Sequence, residues 1–412
     1  MKLARLIYHY LLALGAAVCY RFPARQLFVI GITGTKGKTT TAELVSAILT
    51  AAGRRVAVSS TLHFKIGERS ERNLKKMSMP GRGFIQKLLR RAKRAGCDTA
   101  VIEMTSEGAR QFRHKFLALD ALIFTNLSPE HLESHGSFEK YRAAKLAIVR
   151  ELARSPKPNK IIVVNGDDAE APRFLAAADC PATGRSTAVK KIIYRRGEGR
   201  EYPTHLPGDF NRANILAAAA LARALGVPEA TIEQTLRDFP GVRGRMENVG
   251  SAEQPVIIDY AHTPDSLEKV YQTLKTYHLP PKTSNLICVL GGTGGGRDSW
   301  KRPVMGELAD RFCDRIFLTD EDPYDEDPRK IVDEVAGGIK NKNKLAIIMD
   351  RREAIRAALR LASSLAQGGD NHPVVIITGK GTDPFIMGPR GSKLPWDDAQ
   401  VAREELAKLR KF

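Results

Sequence analysis

Residues 27–40, LFVIGITGTKGKTT, decide the fold. LFVIGITG is a short apolar, β-branched run ending in glycine, which reads as a buried strand. TTAELVSAILTAAG (40–53) then has helical spacing and closes at Gly53, a residue suited to a helix C-cap. Between them lies Gly34-Thr35-Lys36-Gly37-Lys38-Thr39-Thr40. Its glycines let backbone N–H groups close on phosphate oxygens, and the following helix start adds positive potential. Lys38 is placed to reach β- and γ-phosphates, and the Thr39 hydroxyl to ligate Mg²⁺. The strict phosphate-loop pattern asks for glycine at position 32, where this chain has Ile32, so the loop is a variant.

Outward from this unit, strand-like and helical runs alternate. VAVSST (56–61), FIQKLLRRAKRAG (84–96), TAVIEM (99–104), ALIFTNL (121–127), YRAAKLAIVRELA (141–153) and KIIVVN (160–165) follow in turn. Such alternation predicts a parallel sheet with helices on both faces. Residues 181–206 are weakly patterned, with short β-like pieces (KKIIYRR) and turns, and read as a peripheral excursion, before two helices at 211–226 and 228–239. A boundary is expected within 241–247. Beyond it a second series begins with VIIDYA (256–261), NLICVLGG (285–292), RIFLTDE (315–321) and PVVIITGKG (373–381), interleaved with helical stretches. The expected architecture is α/β: an N-terminal apolar helix (1–26), a central doubly wound domain carrying the phosphate loop (27–242), and a second Rossmann-like α/β domain (243–412).

Of 412 residues, 43% are hydrophobic, enough for more than one buried core. The formal net charge of +19 favours polyanionic partners. No run of base-stacking aromatics among cations occurs, so nucleic acid is not expected. Cys19, Cys97, Cys180, Cys288 and Cys313 follow no CxxC or Cys/His spacing, which argues against a disulfide framework or zinc site and for reduced thiols in the cytoplasm. At the N-terminus, Lys2 and Arg5 precede an apolar run from Leu6 to Tyr20, shorter than the ~20 residues of a spanning helix. The order resembles an export signal, yet export would separate the phosphate loop from its nucleotide. An amphipathic helix fits better, lying at the inner membrane face or packed on the protein through Leu6, Leu11, Leu14 and Val18.

The GTKGKTT loop resembles that of the Mur ligase family, and the likeness continues along almost the whole chain. VIEMTSEG (101–108) and TNLSPEHLESHGSFEKYRAAK (125–145) resemble its second signature. The resemblance implies that Glu103 and His131 ligate a second Mg²⁺, and that Lys145 is carbamylated to complete that site. PGDFNRANILAAAALA (207–222) matches the helix whose asparagine, here Asn214, reads adenine. VRGRMENV (242–249) aligns Arg245 with a residue that neutralises the transferred phosphate. DYAHTP (259–264) places Asp259 near the ribose and His262 at the domain cleft, where it is a conceivable base.

GGTGGGRDSWKRPVMG (291–306) is most similar to the tripeptide-forming branch of the family, with Arg297 in its RD pair. DEDPYDEDP (320–328) stands where that branch selects its amino acid, and GKGTD (379–383) where it grips the amino group, giving Asp322, Tyr324, Lys380 and Asp383 as substrate contacts. Diaminopimelate enzymes carry a carboxylate-clamping arginine where this chain has Tyr324, which cannot supply a bidentate pair. Only about 30 residues precede the loop, so the family's N-terminal UDP-holding domain is expected to be missing. Ser78 in MSMP, Arg110 and Arg113 are further candidates for substrate contacts.

The resemblance implies ATP and Mg²⁺, a UDP-muramyl-peptide or related acceptor, a free amino acid and a monomeric enzyme. Phosphorylation of the acceptor carboxylate, closure of the C-terminal domain and attack by the amine would then follow. Two rivals remain: a related ligase of another carboxylate, such as a folyl-polyglutamate synthetase or amidating subunit, and a membrane-associated P-loop protein that is not a ligase.

Overall fold

Every residue of β1 (Phe28–Thr33) except Phe28 is buried, as expected of a strand covered on both faces. The computed structural model describes residues 3–130, 132–179, 188–276, 285–296, 299–367 and 373–409. The chain divides into two units, one formed by 1–205 with 209–240 and the other by 206–208 with 241–412.

In the first unit β1 is joined by β2 (Val56–Ser59), β3 (His63–Ile66), β4 (Arg69–Arg72), β5 (Thr99–Met104), β6 (Ala121–Phe124), β7 (Lys160–Asn165) and β8 (Val189–Tyr194). Their order is β4-β3-β2-β5-β1-β6-β7-β8, parallel from β2 to β8. Because β5 and β6 flank β1 on opposite sides, the chain reverses winding direction there. In open α/β sheets that crevice, at the carboxyl ends of the strands, is where ligands bind.

Two features differ from the sequence reading. The β-like piece KKIIYRR is more than part of an excursion: its KKIIY belongs to β8, which pairs along its length with β7 and forms the sheet edge. The β3–β4 hairpin on the opposite edge was not expected, because RSER is polar and exposed throughout and lacks strand alternation.

Helix α1 (Leu3–Cys19) packs against the start of α3 (Phe84–Arg94), while α2 (Lys38–Ala51) follows β1. Tyr10 meets Phe112 edge-on and Phe116 at a tilt. The expected packing of α1 is only partly realised: Leu6 and Leu14 are half-buried, but Leu11 and Val18 face solvent. Among the described residues no helix is long and apolar enough to cross a membrane. Cys97, Cys288 and Cys313 are buried free thiols and Cys19 an exposed one; Cys180 lies outside the described residues.

The second unit holds β9 (Glu247–Asn248), β10 (Val256–Ile258), β11 (Asn285–Leu290), β12 (Arg315–Leu318), β13 (Leu345–Ile347) and β14 (Pro373–Ile377). The order β13-β12-β11-β14-β10-β9 is parallel except at β9. A short hairpin, β15 (Phe385–Met387) with β16 (Lys393–Pro395), follows. The segments after β10, β11, β12 and β14 carry the DYAHTP, GGTGGG, DEDPY and GKGTD strings, so this sheet gathers them at one end.

Candidate active site

The phosphate loop is clamped by the segment after β6. Thr35 N–H donates to the Asn126 carbonyl (2.8 Å), and Lys36 N–H donates to the Asn126 side chain (2.9 Å). Thr125 Oγ1 donates to the Lys36 carbonyl at 2.7 Å. Two glycines are required by contact. A Cβ on Gly34 would lie 1.9 Å from Thr125 Oγ1, and one on Gly37 would lie 2.2 Å from Asn214 Oδ1. Gly37 also has φ of +80°, a conformation side chains disfavour. As the N-cap of α2 it makes no side-chain bond to the first turn, where Thr39 and Thr40 are buried.

Lys38 Nζ donates to the carbonyls of Gly34 (2.9 Å) and Thr35 (2.8 Å). Lys36 pairs with Glu130 at 2.6 Å. Asn214 sits at the opening turn of α2, accepting from Thr41 and donating to Asn211, so its amide is engaged beside the phosphate loop.

Lys145 comes to the same loop from the helix Phe138–Ala153. It is 1% exposed, donates to the Gly34 carbonyl at 2.7 Å, and lies 4.9 Å from the Tyr141 ring centroid. Burial, reinforced by Lys38, lowers its pKa well below the ordinary lysine value and favours the neutral amine. Tyr141 in turn touches Thr35 Oγ1 at 3.0 Å and stacks edge-on with His135.

Glu103, fully buried on β5 opposite Ile32, lies at the same sheet end as the phosphate loop. Its carboxylate accepts from Thr61 N–H (2.9 Å), Thr61 Oγ1 (3.0 Å) and Ser78 Oγ (3.2 Å). Ser78 and Glu103, predicted separately, are therefore one cluster. Arg113 reaches the same segment through the Met79 carbonyl, whereas Arg110 is tied to Glu107 and Ser134. His131 lies outside the described residues, as does Arg297.

In the second unit, Arg245 lies over the Tyr260 ring (4.4 Å to the centroid). His262 Nδ1 is 2.7 Å from the Tyr260 carbonyl, which can only accept, so Nδ1 carries the proton and a neutral ring leaves Nε2 as acceptor. Asp259 uses both oxygens on backbone, taking Met246 N–H at 2.8 Å and Ala261 N–H at 2.7 Å. It fixes the turn bearing Arg245.

Lys380, 1% exposed, bridges Asp322 (2.8 Å) and Asp383 (3.1 Å). Asp322 also accepts from Met387 N–H. Tyr324, in the left-handed region at φ +53°, lines a cavity of about 520 Å³ with Asp325, Lys393 and Leu394.

Two family models cover most of the chain: the Mur ligase middle domain matches residues 32–222, and the Mur ligase, glutamate ligase domain matches 244–381. A UDP-N-acetylmuramyl-tripeptide synthetase of Roseiflexus sp. (strain RS-1) is 39% identical, over 96% of this chain and 81% of its own. The chain belongs to the Mur ligase family. Members are ATP-dependent, ADP-forming acid–amino-acid ligases, which removes the non-ligase rival. Among solved structures, a UDP-N-acetylmuramoyl-L-alanyl-D-glutamate–2,6-diaminopimelate ligase is 27% identical, with TM-score 0.61 over 93% of this chain and 79% of that one. A folylpolyglutamate synthase of Mycobacterium tuberculosis, complexed with ADP and AMPPCP, gives TM-score 0.70 at 19% identity over 89% and 92%, a likeness of fold.

Several residues around these candidate positions escaped the sequence reading. Asn126 and Tyr141 stand inside the strings already quoted, and a buried tyrosine four residues before Lys145 was a usable signal. Glu321 also stands inside the quoted DEDPYDEDP, but nothing in that string marks its burial. It is buried, accepts from Thr293 Oγ1 and leaves Oε2 without a hydrogen-bond partner among the described residues.

Proposed function

We propose that this Mur ligase joins a free amino acid to the carboxylate of a UDP-muramyl-peptide or related precursor, acting as a cytoplasmic monomer with peripheral contact to the inner membrane face. Residues 27–242 are assigned to ATP and the acceptor carboxylate, and 243–412 to the amino acid. The observation that carries the reading is the convergence of Lys38 and Lys145 on the Gly34 carbonyl of the phosphate loop.

The donor set suits Mg²⁺. The Thr39 hydroxyl stands at the loop's helix start and Glu103 offers a buried carboxylate, with His131 a further ligand. A neutral buried Lys145 can add CO₂ to become a carboxylate-like ligand, whereas an ammonium could not. Bound Mg²⁺ would offset the charge of phosphate oxygens and acceptor carboxylate as they approach.

The chain's own groups supply the rest. Gly34, Thr35, Lys36, Gly37 and Thr40 shape the loop, Lys38 donates to phosphate, and Asn214 and Asp259 are assigned to the nucleoside. Arg245, held over Tyr260, is assigned to the charge on the transferred phosphoryl group. His262 Nε2 is a proton acceptor for the incoming amine. Ser78, Arg110 and Arg113 are assigned to the acceptor, and Arg297, Asp322, Tyr324, Lys380 and Asp383 to the amino acid.

The test is ADP release with UDP-N-acetylmuramoyl-dipeptide and a panel of amino acids, run beside dihydropteroate and glutamate. Release that requires the muramyl-dipeptide and one amino acid supports the reading. Release only with the pterin acceptor would replace it with the folylpolyglutamate alternative, which the fold likeness keeps in play.

A further inference from the structure

Apart from Arg5 at its edge, the outward face of α1 is uncharged. The exposed large side chains of that arc are Ile7, Tyr8, Leu11 and Val18, and the small residues Ala4, Gly15 and Cys19 complete it. Ala13, Ala16 and Ala17 are turned toward the protein. A solvent-facing arc of this composition inverts ordinary surface amphipathicity. Two more exposed apolar residues, Leu74 and Met77, stand in the loop before α3. Met77 is linked to α1's surroundings through Arg113, beside the Phe112 that Tyr10 touches.

The charge around this face is equally one-sided. Residues 1–26 and 72–97 carry thirteen Lys or Arg and no Asp or Glu, out of a net charge of +19. They are neighbours in space: a Cβ on Gly83, at the start of α3, would lie 2.8 Å from the Ala16 Cβ. Arg5 within α1 and Arg21 and Arg25 just after it are exposed, and Lys87, Arg91, Lys93 and Arg94 are exposed along α3.

We propose that α1 lies in the interfacial layer of an anionic bilayer, its uncharged arc among the upper acyl chains and the surrounding cations on lipid phosphates. This deepens the peripheral contact assigned above and is tested apart from ligation. A helix of 17 residues is too short to span but suits that in-plane position. A second copy of the chain is disfavoured as the occupant, because a two-fold contact would bring the same cationic zone against itself. The binding rests on lipid alone and needs no substrate.

The experiment is co-sedimentation of the full chain with phosphatidylcholine vesicles, with and without 30% phosphatidylglycerol. Expected is binding to the anionic vesicles at low salt and little to neutral ones. Lys93→Gln with Arg94→Gln should weaken it about thirtyfold, and Leu11→Glu by about tenfold or more. Because these side chains are exposed, thermal melts should be unchanged, and ADP release by soluble substrate should persist in all variants. Protein that stays in the supernatant with both vesicle types would overturn the proposal, as would binding indifferent to Leu11→Glu. So would light scattering that shows a dimer dissolved by that substitution, or binding of an acidic protein in place of lipid.

Discussion

Lys38 and Lys145 donate to one acceptor, the carbonyl oxygen of Gly34, at 2.9 and 2.7 Å. Two ammonium groups on one oxygen repel each other strongly where water is scarce. Lys145 is the fully buried member, so it is the one held neutral. The arrangement yields, side by side, a cationic donor for phosphate and a nucleophilic amine that can accept CO₂.

If Lys145 becomes a carbamate, Lys145→Ala should abolish ADP release, and formate or acetate should restore part of it by filling the vacated carboxylate position. Loss of a group this close to the reacting charges is expected to cost about 10²–10³ in rate. Rescue by methylamine instead, or no loss at all, would return Lys145 to a purely structural role.

Removing the same amine should also change stability, in a direction set by pH. The unfolded chain protonates Lys145 below the ordinary value of 10.5, while the folded chain keeps it neutral down to its lowered value. Below that lowered value the cost of burying the proton is felt in full. Between it and 10.5 the cost shrinks as pH rises, and above 10.5 it is gone. In CO₂-free buffer, Lys145→Met should therefore stabilise the protein most at the acid end of this window, with a gain that fades toward its alkaline end. Urea titrations across that range that give a constant gain, or a loss, would show that Lys145 is not buried as a neutral amine.

Gly37→Ala tests the contact that closes the loop. The new Cβ would meet Asn214 Oδ1 at 2.2 Å and force a side chain to φ +80°. The left-handed conformation alone costs about 1–2 kcal/mol. ATP affinity, read by titration with a fluorescent ATP analogue, should fall at least tenfold; in thermal melts of the nucleotide-free protein, adding Asn214→Ala should recover only the part of the stability loss due to the clash. Full recovery in the double variant would mean that backbone conformation is not what requires glycine here.

Sequence alone made the phosphate loop, both sheets and the strings that carry the candidate site legible because each is written locally, as an apolar run ending in a glycine-rich turn. The β-like piece at β8 was read only in part, for the opposite reason. KKIIYRR is an edge strand with three exposed lysine and isoleucine positions, and only the partner β7 makes it part of the sheet. The meeting of Ser78 with Glu103 was likewise invisible, since 25 residues separate them and no periodicity links them. For α1 the apolar pattern was plain but not its sense, because a helical stripe does not say whether protein or solvent faces it.

Arg351 and Asp398 form a buried pair in the second unit, 1% and 0% exposed at their side chains, with bonds of 2.8 and 2.9 Å. Both tryptophans, Trp300 and Trp396, belong to this unit, so their fluorescence follows its unfolding. Arg351→Met should destabilise it by about 3–5 kcal/mol, because the carboxylate stays buried without its cation. Arg351→Met with Asp398→Leu should recover much of that loss. A double variant as weak as the single one would show that the pair's value lies in packing or in the Arg351 bond to the Thr378 carbonyl.

Tyr324 bears on which amino acid is added. It lines the cavity after β12, at the position where the family resemblance expects a carboxylate-clamping arginine in diaminopimelate enzymes. A phenol can donate one hydrogen bond to a distal carboxylate but cannot form the paired N–H contacts of a guanidinium. Tyr324 already occupies φ +53°, so Tyr324→Arg adds no new backbone strain. The substitution should raise kcat/KM for diaminopimelate, relative to a diamine of similar length lacking the distal carboxylate, by about tenfold. The Tyr324 enzyme should prefer the latter. An unchanged ratio on installing arginine would mean that this cavity does not hold the distal end of the amino acid, and that selection is made by Asp383 and its neighbours on the GKGTD loop.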